Sequence, residues 1–368
     1  MSGRARVGSA TRRFQSAAGQ GRAYRHHRAI VAAACGRGDP VITRRCIVLA
    51  GGAGLLVAHR LSLGQPAATI RRVGYLAFGS EATNAHLRTA FSQGMQDLGW
   101  LEGKNVEYRF VYANGDVHRL DALASELIGQ QVSVILVGSG QSAHAAQQAT
   151  KTLPIVLAGV GNAVGVGLVA SLAKPGGNIT GFTAQQDEVL GKLIGILHEI
   201  SPGARRIAIL LNESNPLYAA YWAGAQSACA ALGLVSLRVV ASTPAQLDAA
   251  VEQMVRQRAQ AIVVTSDGMY FTERAKLQEL MQTTRLPVAY ALRDHVVAGG
   301  LLSYGYDIAA NYRNAAKYVD RILKGAKPAE LPIEQATKFD LLINLKTAKA
   351  LGITIPQSLL LRADDVIQ

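Results

Sequence analysis

Acidic residues are almost missing from the first 68 positions, where Asp39 stands alone against eleven arginines and no lysine. That stretch carries +10 of the chain's formal net charge of +13, leaving only +3 on the other 300 residues. A folded part so close to neutrality offers no basic stripe to draw in phosphate, so nucleic acid is not an expected partner. Cysteine is scarce, at three residues. Cys35 and Cys46 fall in the basic stretch, which leaves Cys229 without a mate for an internal disulfide. It sits in the series Tyr218, Trp222, Ala225, Cys229, Leu232, one face of a helix, and reads as a core thiol. Histidine shows no metal-ligand spacing: His26, His27 and His59 precede the globular part, and His118, His144, His198 and His295 are scattered. No serine occupies a G-x-S-x-G elbow. Neither a metal, a cofactor nor a catalytic constellation is expected, and the chain does not read as an enzyme.

The basic start has its own logic. Thr43-Arg44-Arg45 precedes an apolar run from Cys46 to Ala58, too short for the roughly 20 residues that span a bilayer. A charged segment, a short apolar segment and the small residues of Ser62-Leu63-Gly64 make residues 41–64 a secretory leader, cleaved near Gln65. The arginine pair suits the twin-arginine route as well as the general secretory one. Residues 1–40 hold no lasting apolar period and are expected to be a disordered or untranslated extension, with the true start near Val41. The mature protein is expected in the periplasm. Neither Cys35 nor Cys46 has the long preceding apolar run of a lipid-attachment site.

From Arg72 onward short apolar strands alternate with amphipathic helices, the pattern of parallel sheets covered on both faces. The first half predicts strands over 73–78, 105–113, 132–137, 154–158 and 179–183, with helices over 85–98, from Asp116 and from Ser142. The second half predicts strands over 206–211, 235–240, 261–265, 287–292, 300–306 and 339–344. Helices are predicted over 217–232, around Leu247, Val251 and Val255, over 272–283 and over 309–323. So much sheet is too much for one core. The fold class is therefore α/β with two Rossmann-like lobes, 72–184 plus 298–328 and 185–297 plus 329–368. Three crossings between them would form a hinge that lets the lobes close on a ligand.

Several segments stand out: GMQDLGWLEGKN over 94–105, GLVASLAKPGGNITG over 167–181, AGGLLSYG over 298–305 and TKFDLLINLKTAKALG over 337–352, with Ile355-Pro356 and RADDVI over 362–367 closing the chain. Together they resemble one family, the ABC-transporter substrate-binding proteins of the type I periplasmic fold. The resemblance implies a periplasmic receptor that shuts around a small solute and hands it to the membrane permease of an importer. It is expected to act as a monomer.

Ligands of open α/β sheets bind beyond the carboxyl ends of the strands, so the loops there supply the candidate site. In the first lobe these are Phe78, Ser80 and Glu81, then Ser139, Gly140, Gln141 and Ser142, then Gly161 and Asn162. The 139–142 loop opens a helix, whose free N–H groups and positive dipole end suit a carboxylate; the same residues also serve as a plain helix cap. Where Asn162 stands the family often carries an aspartate, a departure that removes a charge suited to a ligand ammonium. The second lobe offers Asn212, Ser214 and Asn215, with Asp267 and Tyr270 as a cation partner and a stacking wall; Asp267 reads equally as a helix cap. Tyr290, Arg293, Ser303 and Tyr304 lie near the proposed crossings. An amino acid or an aromatic carboxylate is the expected solute.

Three other readings compete. Residues 165–170 match G-x-G-x-x-A with Asp187 further on, but Pro175 leaves no room for the full helix that dinucleotide binding requires. A ligand-sensing repressor would need a helix-turn-helix ahead of the lobes, where a glycine-broken apolar run stands instead. A sensor subunit feeding a membrane kinase is not separated from an importer receptor by sequence.

Overall fold

The computed structural model describes residues 70–184, 186–336 and 338–368. The extension expected over 1–40 and the leader expected over 41–64 lie outside the described residues.

Runs rich in Val, Ile and Leu form the central strands, buried on both faces, and most strands are followed by a helix. The chain runs β1 (Arg71–Ala77), α1 (Glu81–Asp97), β2 (Val106–Tyr112), α2 (Leu120–Gly129), β3 (Val134–Val137), α3 (Gly140–Ala149), β4 (Ile155–Gly161) and β5 (Ile179–Ala184). It continues through α4 (Gln186–Ile200), β6 (Arg206–Leu211), α5 (Tyr218–Ala231), β7 (Val235–Val240), α6 (Leu247–Arg256) and β8 (Ala261–Val264). Then come α7 (Gly268–Thr272), α8 (Arg274–Thr284), β9 (Val288–Tyr290), α9 (Arg293–Val297) and β10 (Leu302–Gly305). The remainder is α10 (Ile308–Leu323), β11 (Glu334–Gln335), β12 (Asp340–Asn344), α11 (Leu345–Ala350), α12 (Gln357–Leu360) and β13 (Asp365–Ile367).

Two sheets result. One is all-parallel in the order β11-β5-β4-β3-β1-β2; the other runs β13-β12-β10-β9-β8-β6-β7, with only β10 and β12 antiparallel. The chain passes between them three times: between β5 and α4, between β10 and α10, and between β11 and β12. Two sequence expectations are corrected here. Residues 302–305 were placed with 298–328 in the first lobe, but β10 pairs with β9 and β12 of the second sheet. The segment 334–335, placed in the second lobe, pairs with β5 of the first. Alternation identifies a strand without naming its partner, because pairing is decided by long-range packing.

Side-chain caps explain the element boundaries. The hydroxyl of Ser80 accepts from the Thr83 amide at 3.2 Å, and the Thr83 hydroxyl accepts from the Ser80 amide at 3.0 Å, starting α1 earlier than expected. Asp267 accepts from the Met269 amide at 2.8 Å and starts α7, a short helix ahead of α8, which fills the span expected over 272–283. Helix α4 and the short strands β11 and β13 were not anticipated.

Helix α10 crosses α1 at close range. A Cβ at Gly94 would lie 2.9 Å from Ala316 Cβ, so only glycine lets these backbones meet. The Trp100 indole N–H donates to Asp320 Oδ1 at 2.8 Å beside that crossing. Cys229 is buried on α5, and burial pushes its thiol up to about 11, so it is an unreactive core group. No described helix is long and apolar enough to cross a membrane, and among the described residues no three His, Cys, Asp or Glu side chains gather as metal ligands.

His295 on α9 is 1% exposed, stacks on the Tyr290 ring (centroids 4.9 Å apart, planes 12° apart), and neither ring nitrogen has a hydrogen-bond partner. Burial pushes its pKa down to about 4; the Asp294 charge pulls it up and Arg274 pushes it further down. Between pH ~6.5, where an unfolded histidine titrates, and about 4, the unfolded chain binds the extra proton. Stability therefore falls as pH drops through that window.

Two outcomes are expected. In denaturant melts, Gly94→Ala lowers stability by about 1–3 kcal/mol through overpacking against α10. In thermal melts recorded against pH, His295→Phe, which keeps a stacked ring, removes up to about 3 kcal/mol of the acid-side loss between pH 6.5 and 4.

Candidate functional site

The carboxyl ends of β1, β3 and β4 in the first lobe face those of β6 and β8 in the second across a cleft. It holds about 740 Å³ of space free of protein atoms, counted out to its solvent-open mouth. The lobes touch. A Cβ at Gly268 would lie 3.2 Å from the Phe78 ring, so the start of α7 and the end of β1 are in close contact. Phe271 and Leu292 of the second lobe are buried in the apolar cluster of the first, beside Tyr75, Tyr306 and Tyr312.

Asp267 is the electrostatic centre. It is 4% exposed, and its carboxylate accepts four hydrogen bonds. Met269 N donates at 2.8 Å and Asn212 Nδ2 at 3.0 Å to Oδ1; Asn215 Nδ2 donates at 2.8 Å and Gln141 Nε2 at 2.9 Å to Oδ2. Three of these donors belong to the second lobe, and Gln141 reaches across from the first. The other end of that carboxamide, Gln141 Oε1, is buried without a hydrogen-bond partner. A buried amide oxygen left unmet costs on the order of 1–3 kcal/mol, so this atom is ready to accept from a ligand N–H. Beside it, the Ser139 hydroxyl caps α3 by accepting from the Ser142 amide at 3.1 Å. The first-turn amides of Gly140 and Gln141 have no intrahelical acceptor, the arrangement that attracts carboxylates.

The walls are aromatic and apolar. Tyr306 donates to Gly159 O at 2.9 Å, holding its ring beside the end of β4. Tyr312 packs against Tyr75 (centroids 5.7 Å apart), and burial pushes both hydroxyls well above their usual range, so they stay protonated. The Tyr75 hydroxyl donates to Asn84 Oδ1 at 3.3 Å, and Asn84 Nδ2 donates to Ser80 O at 2.9 Å, which fixes Asn84 at the cleft floor. A second clasp joins the lobes outside the cleft, where His86 meets Asp294 at 3.0 Å. Burial opposes ionisation of Asp294, but the His86 hydrogen bond and the charges of His86, Arg274 and His295 together hold it below the usual carboxylate range.

Of the residues named from sequence, Phe78, Ser139, Gly140, Gln141, Gly161, Asn215 and Asp267 line the cleft. The others stand elsewhere. Ser80 caps α1, while Glu81 is exposed and pairs with Arg88 at 2.7 Å. Ser142 is fully buried, its hydroxyl accepting from that of Ser139 at 3.0 Å. Asn162 Oδ1 accepts from Gly165 N at 2.9 Å and shapes the turn after β4. Asn212 stands behind Asp267, and the Ser214 hydroxyl donates to Asn212 Oδ1 at 2.7 Å. Tyr270, expected as a stacking wall, is wholly buried and donates to Ala241 O at 2.9 Å. Tyr290 is equally buried and donates to Gln278 Oε1 at 2.7 Å. Arg293 lies outside the cleft, 3.4 Å from Asp365. Ser303 is buried within the second sheet, and Tyr304 stacks on Phe339 at 6.0 Å and accepts from Lys192 Nζ at 3.1 Å. The residues over 162–170 form turns, not a helix, so the glycine-rich match there lacks the helix a dinucleotide would need. Sequence reasoning missed Asn84, Tyr221, Phe271, Leu292, Tyr306 and Tyr312, which also line the cleft.

Removing the carboxylate strands several buried amide donors. Asp267→Ala is expected to cost about 3 kcal/mol in chemical unfolding, because each unmet donor costs about 1–3 kcal/mol and relaxation recovers part. Gln141→Leu, which severs only the bond between lobes, is expected to leave the melting temperature within about 2 °C of the parent.

Comparisons with known proteins bear on this arrangement. The family model described as ABC transporter substrate binding protein matches residues 73–367. A curated "Tyrosine-binding protein" of Clostridioides difficile (strain R20291) is 24% identical over 266 residues, 72% of this chain and 76% of that one. A conserved domain protein from Vibrio cholerae superposes with a TM-score of 0.76 at 26% identity, over 81% of this chain and all of the other. A structure from Streptococcus pneumonia, described as the ABC domain in complex with L-Trp, also gives 0.76, at 24% identity and the same coverage. With the match running from the first strand to the last, on two hinged α/β lobes, the chain belongs to the ABC transporter substrate-binding protein family.

Proposed function

We propose that this protein is the exported receptor of an ABC importer, and that it holds an aromatic amino acid or related aromatic carboxylate between its two lobes. The observation that carries this reading is the pairing, in one aromatic-walled cleft, of an unmet acceptor with unmet donors. Gln141 Oε1 lacks a partner, and beside it the first-turn amides of α3 lack acceptors. A zwitterionic amino acid supplies both complements. Its carboxylate meets the amides, its ammonium donates to Gln141 Oε1, and its ring packs among Phe78, Phe271, Tyr306 and Tyr312. The relatives named for tyrosine and crystallised with L-Trp support the same ligand class.

On this reading no bond is made or broken: the protein binds, closes and delivers the solute, acting as a monomer toward a membrane permease. Residues 41–64 direct it out of the cytoplasm by the general secretory or the twin-arginine route. Asp267 and Asn215 order the second lobe's loops beside the ligand and are not its cation partner, since the Asp267 carboxylate already accepts four hydrogen bonds.

The test is a thermal-shift screen of the purified protein against amino acids, aromatic acids, nucleosides and sugars, followed by calorimetric titration of the responders. L-Tyrosine, L-tryptophan or an aromatic acid is expected to raise the melting temperature, since a ligand at 100 times its dissociation constant adds about 2.7 kcal/mol. A response confined to sugars or nucleosides overturns the proposed ligand class.

A further inference from the structure

We propose that Phe271 sets the length of ligand this protein accepts, by standing as a partition between the cleft and a second, charged chamber. This rests on the reading of the cleft given above. The second chamber lies between the lobes, with about 870 Å³ of atom-free space counted to its open mouth. Neighbouring residues in the chain divide between the two spaces. Leu87 faces the cleft and His86 the outer chamber; Leu292 faces the cleft and Arg293 and Asp294 the outer chamber. Ile308 faces the cleft, and Asp307 and Ala309 face outward. Chain neighbours thus stand on opposite sides of the wall between the two spaces. Phe271 completes it from α7: its ring lines the cleft, its centroid lies 6.0 Å from that of His86, and Arg274 Cζ sits 4.8 Å over it. Both His86 and Arg274 belong to the outer chamber.

The charges behind the wall are unequal. His86 Nε2 lies 3.0 Å from Asp294 Oδ1, and Arg293 has Asp365 at 3.4 Å. Arg274 has no carboxylate within 4.0 Å among the described residues; its Nη1 donates to Phe271 O at 2.8 Å. A guanidinium held by a carbonyl and a ring, and felt by Asp294 only at longer range, thus stands behind Phe271. A ligand one residue longer than an amino acid, with its carboxylate at the far end, would reach Arg274 if the ring were gone. In the native protein the ring excludes it. Selection against dipeptides is then steric, a block on the wrong ligand and not a better grip on the right one.

Calorimetric titrations with L-tyrosine, L-tryptophan, L-tyrosyl-L-alanine and L-tryptophyl-L-alanine test this in the native protein, Phe271→Ala and Phe271→Leu. The native protein is expected to bind a free amino acid at least a hundredfold more tightly than its dipeptide. Phe271→Ala is expected to narrow that ratio at least tenfold, and Phe271→Leu to narrow it less. Adding Arg274→Gln to Phe271→Ala is expected to return at least threefold of the gain. An unchanged ratio in a cooperatively melting Phe271→Ala overturns the proposal while leaving the ligand class intact. If that variant does not melt cooperatively, an unchanged ratio in Phe271→Leu overturns it equally. A native protein that binds none of the four probes overturns the reading of the cleft, and the partition with it.

Discussion

A carboxylate sealed almost entirely from water organises this molecule. Asp267 survives burial because every strong acceptor position it offers is met, and the donors come from three separate loops. Asn212 and Asn215 tie the loop after β6 to the loop after β8, and the Met269 amide ties both to the start of α7. The second lobe's share of the cleft is therefore preassembled whether or not the lobes are shut. Only the fourth donor, Gln141, crosses the gap. Water replaces one amide donor at little net expense, so opening the lobes disturbs no network that the fold needs. A two-state jaw requires such a division, because its two positions must lie within a few kcal/mol of each other.

Apolar contact supplies the other half of closure. Phe271 and Leu292 leave their own lobe and bury themselves among the tyrosines of the first. Parallel sheets make this possible, because they direct every βα loop to the same edge and place the positive ends of the helices there. Two such edges set face to face give a pocket whose polar groups include backbone amides, carboxamides and one buried carboxylate and whose walls are largely rings. The three chain crossings hold those edges opposite each other without filling the space between.

Much of the fold is legible from local pattern, since runs such as AIVV over 261–264 and VILV over 134–137 admit little but a buried strand. Lobe membership of β10 and β11 is not legible, because a strand's sequence fits either sheet and the choice is made by neighbours far along the chain. The site divides in the same way. Gln141, Asn215 and Asp267 follow strand ends directly and were visible from position alone. Asp267 read equally as a cap and as a ligand group; it is indeed a cap, and the same carboxylate also holds the lobes. Tyr270 reads from sequence as a stacking wall, yet consecutive helical residues point about 100° apart, so its neighbour Phe271 faces another way. The hydroxyl went to a backbone carbonyl in the core and the plain ring went to the cleft. Tyr306 and Tyr312 gave no local signal, since they reach the cleft only because α10 returns across α1 to the end of β4.

That return gives the second crossing a double duty. Tyr306 is the first residue past β10, at the point where the backbone leaves one sheet for the other, and its hydroxyl is anchored to Gly159 O. The bending element and part of the cleft wall are thus the same few residues. Anything pressed against that ring in the cleft would bear on the crossing with no intermediary, coupling the cleft's shape to the angle between the lobes. An altered ring there would retune grip and gait together.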